Sequence, residues 1–419
     1  MQTLPAKASS VGTRPEIEVL LICASAQMEL EKVERLVTLL QENHLDWAEL
    51  IQMATEHKVM PLLYWNLNST CPEAVPKNIL TKLRADFQIL TRRSLFLSGE
   101  LVRLVNLFEA QGIPVLPFKG PVLAACAYGN LLRRQFWDLD ILVQKRDIER
   151  AKALFLSQGY QMKIERIEVT QEQEAAFVTS PHIHQFVREA AYPFRNHQKG
   201  VLVELHWGVM PKYFSFPIDS KELWDDLEPV SIAGTTVPNL SPENSLLTIC
   251  GHGTKDCWTQ LARICDVAEL IRSHPQLDWG KLMQQASAKG GQRMLFLGLM
   301  LAHRLLGTAL PDDVWQKIQA DPAVELLAAE VCEQLFCSSD GSVKDGTTTR
   351  FHLNARERLI DRVRYSLNLA ITPTTTDWLL LPLAEFPAFL YYLLRPIRLL
   401  GEQVLKRFKL RKKSYDFHA

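Results

Sequence analysis

"FKGPVLAACAYGNLLRRQFWDLDILV", residues 118–143, is the stretch on which the fold turns. Just before and into it, IPVLPF (113–118) is a short apolar run after Gly112 and predicts a buried strand. PVLAACAYG (121–129) is small and apolar, as suits a helix packed tightly on a sheet. DLDILV (138–143) is rich in strand formers yet carries Asp138 and Asp140. Residues i and i+2 of a strand share a face. The two carboxylates therefore project together, while Leu139, Ile141 and Val143 point to the other side. Adjacent carboxylates repel unless a positive charge lies between them. Mg2+ supplies one, since it takes one or two carboxylates plus phosphate oxygens and water. On this pattern alone, a strand end with both aspartates in solvent is the other reading.

A third carboxylate, Glu204, stands in a second apolar strand pattern, GVLVELHWGV (200–209). If the two strands are neighbours, three carboxylates converge. Such a cluster can hold divalent ions that activate a nucleophile and grip phosphates. Lys119-Gly120 follows the first strand and opens the small helix. Glycine lets backbone approach a ligand closely, and a helix N-terminus favours phosphate. The same pair also reads as an ordinary strand-to-helix turn. Arg134, four residues before Asp138, can pair with a carboxylate or with phosphate. His206 shares the face of Glu204; it orients a carboxylate, touches phosphate, acts as a base or packs beside the site. His252, Lys255 and Asp266 fall on predicted helices after the core. For His252 and Lys255 both a phosphate or acceptor contact and a packing role stay open. His182-x-His184 has a metal-compatible spacing but no cysteine or carboxylate partner nearby.

The length of 419 residues admits two or three domains. With 47 basic and 47 acidic residues, nothing global argues for a polyanionic partner. Eight cysteines without a CxxC pair suit buried thiols and a reducing cytoplasm. Residues 1–15 are expected as a flexible tail lacking the apolar core of a signal peptide. An N-terminal helical region (16–98) follows, with Asp46 as a helix cap and one long amphipathic stretch over 77–111. The core spans 99–232 and a C-terminal helical domain 233–372, its first helix opened by Ser241-Pro242. A small hairpin is expected around Ala233-Gly234, astride that boundary. The fold class is α+β: a small mixed sheet flanked by helical regions.

The segment 373–419 is apolar and then basic. Pro382, Glu385, Pro387 and Arg395 interrupt WLLLPLAEFPAFLYYLLRPIRLL (378–400), so a spanning helix is not expected. Phe386, Phe389, Leu390, Tyr391 and Leu394 are expected to pack on the protein. Between Arg395 and Lys413 there are eight basic residues and one acidic, Glu402. A weak contact of this basic part with an anionic membrane is expected.

LPFKGPVLAACAYGNLLRRQFWDLDILV, then GY at 159–160, then VELHW at 203–207, resembles the bacterial uncharacterised nucleotidyltransferase family of the DNA-polymerase-β-like nucleotidyltransferase superfamily. LDWAELIQMATEHKVMPLLYWNL, HGTKDCWTQLARICDVAEL and FLYYLLRPIRLL extend the resemblance from about residue 18 to 400. The resemblance implies Mg2+-dependent transfer of a nucleoside monophosphate from an NTP such as ATP, with Mn2+ as the alternative ion. It implies metal and catalytic roles for Asp138, Asp140 and Glu204, and a phosphate-binding turn at Lys119 and Gly120. Arg134, His206, His252 and Lys255 complete the expected nucleotide-binding set. Many superfamily members have Gly-Ser at this turn; here Pro121 follows Gly120 and removes one N–H donor. The acceptor is not identified. The rival readings are a non-catalytic or toxin–antitoxin-type regulator, and a peripheral membrane protein of a surface-polymer or natural-product pathway. The expected location is the cytoplasm, with the inner face of the membrane as a peripheral site.

Overall fold

The computed structural model describes residues 14–42, 44–162, 190–214, 216, 220–336, 347–380 and 389–401. Most of the expected N-terminal tail, His182, His184, Phe386 and the basic cluster 406–413 lie outside the described residues. Helices α1 (Pro15–Cys23), α2 (Leu30–Glu42), α3 (Trp47–Glu56) and α4 (Met60–Thr70) come first. Asp46 caps α3 by accepting from the N–H groups of Ala48 and Glu49. Helix α5 then runs unbroken from Lys77 to Ala110. The boundary expected at 98/99 thus falls inside one helix. No proline or cap interrupts that stretch, and the single Gly99 at the boundary is carried within the helix.

The core follows as β1 (Val115–Phe118), α6 (Gly120–Tyr128), β2 (Asp138–Val143), α7 (Ile148–Ser157), β3 (Gln161–Met162), β4 (Ala191–Asn196) and β5 (Val201–His206). The sheet order is β1-β2-β5-β4-β3, and only β2 and β5 run parallel. The hairpin β6 (Leu227–Ile232) and β7 (Thr235–Leu240) turns at Ala233-Gly234 as expected. The boundary expected at 232/233 divides that hairpin.

Strand alternation sorts the core into two layers. Leu139, Ile141, Val143, Val201, Val203 and Leu205 pack beneath the sheet with Leu101, Leu104 and Phe108 of α5 and Phe155 of α7. Leu116, Phe118 and Leu142 face the opposite way, into a larger core shared with the N-terminal and C-terminal helices. That upper face is the one that carries the carboxylates.

The C-terminal helices include Pro242–Lys255, Leu261–Ser273 and Gln292–Leu306. Ser241 caps the first of them, its Oγ accepting from Asn244 N–H at 3.4 Å. That helix is closed by Cys257 and Trp258, both in the left-handed region. Trp258 N–H donates to the Gly253 carbonyl at 2.8 Å. Its fully buried indole fills the space that a Cβ at Gly253 would need, at 2.6 Å. This closure fixes the helix end that carries Lys255 and Asp256.

The same corner is braced by buried His352. The Tyr365 hydroxyl donates to Nδ1 at 2.9 Å, and Nε2–H donates to the Lys255 carbonyl at 2.9 Å. That pattern is the neutral imidazole. Burial, aided by the nearby Arg356 charge, lowers its pKa to about 4. The unfolded chain binds this proton near 6.5, so stability is complete above that pH and declines as pH falls toward 4. The loss over that window is expected to be on the order of 3 kcal/mol. Urea unfolding of wild type and His352→Asn between these pH values measures it. Parallel pH slopes in the two proteins would remove His352 as the cause.

Candidate active site

The site begins with the pairing of β2 and β5. Asp138 faces Leu202, Asp140 faces Glu204 and Leu142 faces His206. Parallel strands in this register set Asp140 and Glu204 side by side on the upper face. Antiparallel β1 flanks them on the other side, with Phe118 opposite Asp140. Asp140, Glu204 and His206 offer ligand atoms that all lie within 4.8 Å of one another. Asp138 lies at the leading end of the same face, one strand repeat from Asp140.

His206 Nε2 lies 3.1 Å from Asp140 Oδ1 and 3.2 Å from Glu204 Oε2. Burial opposes charge on this imidazole, but the two carboxylates outweigh it and raise its pKa. Its ring meets Phe118 edge-on at 4.9 Å, and Nδ1 is buried without a partner. Lys119 Nζ lies 3.3 Å from Asp140 Oδ1. Burial disfavours the Asp140 carboxylate, yet Lys119 and His206 together hold its pKa far below the usual range. Burial also opposes charge on Glu204, and His206 outweighs it to lower the pKa. Asp138 goes the other way. Burial, then the charges of Asp140 and Glu204, push it up to about 6. The raised pKa of Asp138 reflects the negative charge gathered on this face, which a bound cation would relieve.

The Lys119-Gly120 turn has a specific shape. Lys119 has φ 59, and Gly120 has φ 41 with the Asp138 carbonyl 3.4 Å from where a Cβ would sit. A larger residue at position 120 would be strained and would press on the start of β2. Helix α6 therefore starts against the first residue of β2, with the Lys119 side chain reaching Asp140.

Other expected contacts have defined partners. Arg134 Nε and Nη2 donate to Asp266 at 2.8 and 2.9 Å, and the Tyr128 hydroxyl donates to the same carboxylate at 2.8 Å. Arg134 thereby ties the start of β2 and the end of α6 to the helix Leu261–Ser273. His252 Nε2–H donates to the Val209 carbonyl at 2.6 Å. Burial, then the charges of Lys119 and Lys255, hold His252 neutral, well below the usual histidine range. Lys255 Nζ lies 3.2 Å from Asp256 Oδ1, and Arg263 Nη2 lies 2.6 Å from Asp256 Oδ2.

Lys58 was not legible as a site residue. It sits in the turn between α3 and α4 at φ 58. The His57 carbonyl accepts from Ala262 N–H at 3.1 Å, which pins this turn to the helix that carries Asp266. The Lys58 ammonium is half-buried and feels Asp138 and Asp256 on one hand, Arg263 and Arg134 on the other. Burial first, then Arg263, lowers its pKa against the pull of Asp138. A lysine after a helix carries no sequence signal; only the positive φ and the long-range backbone contact bring it here.

Fold and site together define an α+β protein with a candidate metal centre on its sheet. A family model described as uncharacterised nucleotidyltransferase matches residues 43–307. That is more than half of the chain, and the chain belongs to this family. No curated protein matches it.

Proposed function

We propose that the protein transfers a nucleoside monophosphate from an NTP to an acceptor hydroxyl, with a divalent cation at the carboxylate cluster. The observation that carries this reading is the in-register pairing of Asp140 with Glu204 beside the Lys119-Gly120 turn. The likeness to the DNA-polymerase-β-like superfamily is consistent with that arrangement. Of the three donors that lie together, the Asp140 and Glu204 carboxylates suit Mg2+ or Mn2+, while the His206 imidazole suits a transition ion; no cysteine belongs to the group among the described residues. Asp138, Asp140 and Glu204 would hold Mg2+ or Mn2+. When bound, such an ion neutralises phosphate charge and lowers the pKa of an attacking oxygen.

The remaining work falls to the chain itself. Gly120 lets the backbone approach a phosphate closely, and Lys119 adds its charge. Lys58, Lys255 and Arg263 would supply positive charge for the departing pyrophosphate, the last two while sharing Asp256. Glu204, whose side chain is 37% exposed, would take the proton of the acceptor hydroxyl. His206 holds the two carboxylates in orientation and is a positioning residue in this scheme. Arg134 positions the turn from behind. The acceptor would be a small molecule, a protein side chain or an RNA end. A net charge of zero disfavours a long nucleic acid. A cytoplasmic NTP pool is the expected source of substrate.

Incubation with each of the four NTPs and Mg2+ or Mn2+ tests the reading, with pyrophosphate release and acceptor mass shift as readouts. NTP binding is expected to tighten with the metal. Lys58→Ala is expected to weaken NTP binding by about tenfold, the loss of one charge-assisted contact, at unchanged melting temperature. Binding that ignores the metal, with no pyrophosphate released, would favour a non-catalytic regulator instead.

A further inference from the structure

Two C-terminal helices are amphipathic in the wrong sense for a free protein surface. In the helix Leu359–Ile371 the buried residues are Asp361 and Tyr365, on one side. Leu359, Ile360, Val363, Leu367 and Ile371 are exposed on the other. The helical segment 389–401 repeats the design. Tyr391 and Arg395 are buried, and Arg395 reaches the Leu369 carbonyl at 3.2 Å and Asp377 at 2.9 Å. Arg398 adds a bond to Asp377 at 2.6 Å. Opposite them, Phe389, Leu393, Ile397 and Leu400 are between 61% and 67% exposed. At about 100° per residue these four fall on one stripe, facing away from Tyr391 and Arg395. The expectation that Phe389 packs on the protein is therefore corrected. The buried side of the helix is spent on Tyr391 and the Arg395–Asp377 pair, which leaves Phe389 outward.

These nine residues are more than half of the sixteen large apolar side chains exposed among the described residues. An exposed apolar stripe of this kind marks a contact surface, and the one on 389–401 adjoins a basic run in the sequence. Charge identifies what it meets. Gly401 ends the described helix, and Lys406, Arg407, Lys409, Arg411, Lys412 and Lys413 follow in the sequence. Chain geometry keeps Lys406 within about 20 Å of Leu400. A second copy carries the same basic run, so charge complementarity does not favour it as the partner. An anionic surface instead attracts that run. No helix among the described residues is long and apolar enough to cross a membrane.

We propose that the outer face of the helical segment 389–401 docks on an anionic lipid surface, with the basic run that follows it in sequence, Lys406 to Lys413, as the electrostatic anchor. The helix lies on the bilayer by its apolar stripe, while Arg395 and Arg398 hold it to the protein through Asp377. This placement is independent of the carboxylate site, so its failure leaves the proposed reaction untouched.

Flotation of the full-length protein with vesicles decides it. Phosphatidylcholine vesicles are compared with phosphatidylcholine–phosphatidylglycerol vesicles at low and high salt. Binding is expected to be at least about tenfold greater on the anionic vesicles at low salt and to weaken as salt rises. The double variant Leu393→Glu/Ile397→Glu changes only exposed positions and is expected to lose binding. Replacing Lys409, Arg411, Lys412 and Lys413 with Gln is expected to lose the preference for anionic lipid. Absence of flotation at low salt would overturn the proposal, as would wild-type flotation by either variant. A dimer that Leu393→Glu/Ile397→Glu abolishes, with no vesicle binding by wild type, would assign the face to a second copy instead.

Discussion

Asp140→Asn is expected to reduce nucleotidyl transfer by on the order of 10^3-fold or more while leaving the fold intact. The side chain keeps its size and its carbonyl oxygen, so the contacts with Lys119 at 3.3 Å and His206 at 3.1 Å survive in neutral form. What disappears is the charge at the centre of the cluster. His206 then loses one of the two carboxylates that raise its pKa, and Asp138 and Glu204 lose a repelling neighbour. Stability is expected to fall without loss of the fold, because Lys119 and His206 favour the Asp140 charge more than burial and its acidic neighbours oppose it. Pyrophosphate release measures the rate, thermal melting measures the fold, and Mn2+ binding followed by electron paramagnetic resonance measures the site without turnover. Wild-type Mn2+ affinity in the variant would take the acidic cluster out of the metal centre.

Arg134→Ala is expected to act on stability instead. It removes both guanidinium bonds to Asp266, which is 5% exposed and retains only the Tyr128 hydroxyl among its described partners. A buried carboxylate stripped of its cation costs about 3–5 kcal/mol. Chemical denaturation at neutral pH is the measurement. The double variant Arg134→Met/Asp266→Leu is expected to recover most of the loss, since both charges leave together. Unchanged stability in Arg134→Ala, combined with lost NTP affinity, would return Arg134 to the nucleotide-contact role that its spacing suggests.

The two cases mark where sequence reading succeeds. Asp138 and Asp140 could be assigned one face because a strand has a strict period of two, and Leu139, Ile141 and Val143 filled the other. Glu204 stood out for the same reason, as an acid in a valine- and leucine-rich strand. The short cap signals at Asp46 and Ser241 were equally local and equally legible. The register was not legible. Nothing in either strand states that Asp140 meets Glu204 in parallel rather than sliding by two residues, because sheet topology beyond the strands decides that. Arg134 lay close to Asp138 in sequence, yet its partner Asp266 is 132 residues away and follows a helix-to-helix packing that spacing does not encode. His206 is a similar case: the strand gave its face, and only the side-chain geometry joined it to both carboxylates. The exposed apolar stripe of 389–401 was hidden because an apolar run reads as core until the buried side of the helix is known.

The parallel pairing of β2 with β5 has a consequence for the chain as it is being made. Strand β1 lies close in sequence and can pair with β2 early. The other edge of β2 stays open until Val201–His206 has emerged. An open edge with Leu139, Ile141, Leu142 and Val143 is a template for pairing with another unfinished chain. Asp138 and Asp140 lie on that edge, and in-register stacking of two copies would oppose carboxylate to carboxylate. The residues proposed to hold the metal thus also act as gatekeepers against aggregation of the nascent protein. A variant that replaces both with apolar residues would be expected to collect in inclusion bodies, where loss of catalysis alone leaves yield unchanged.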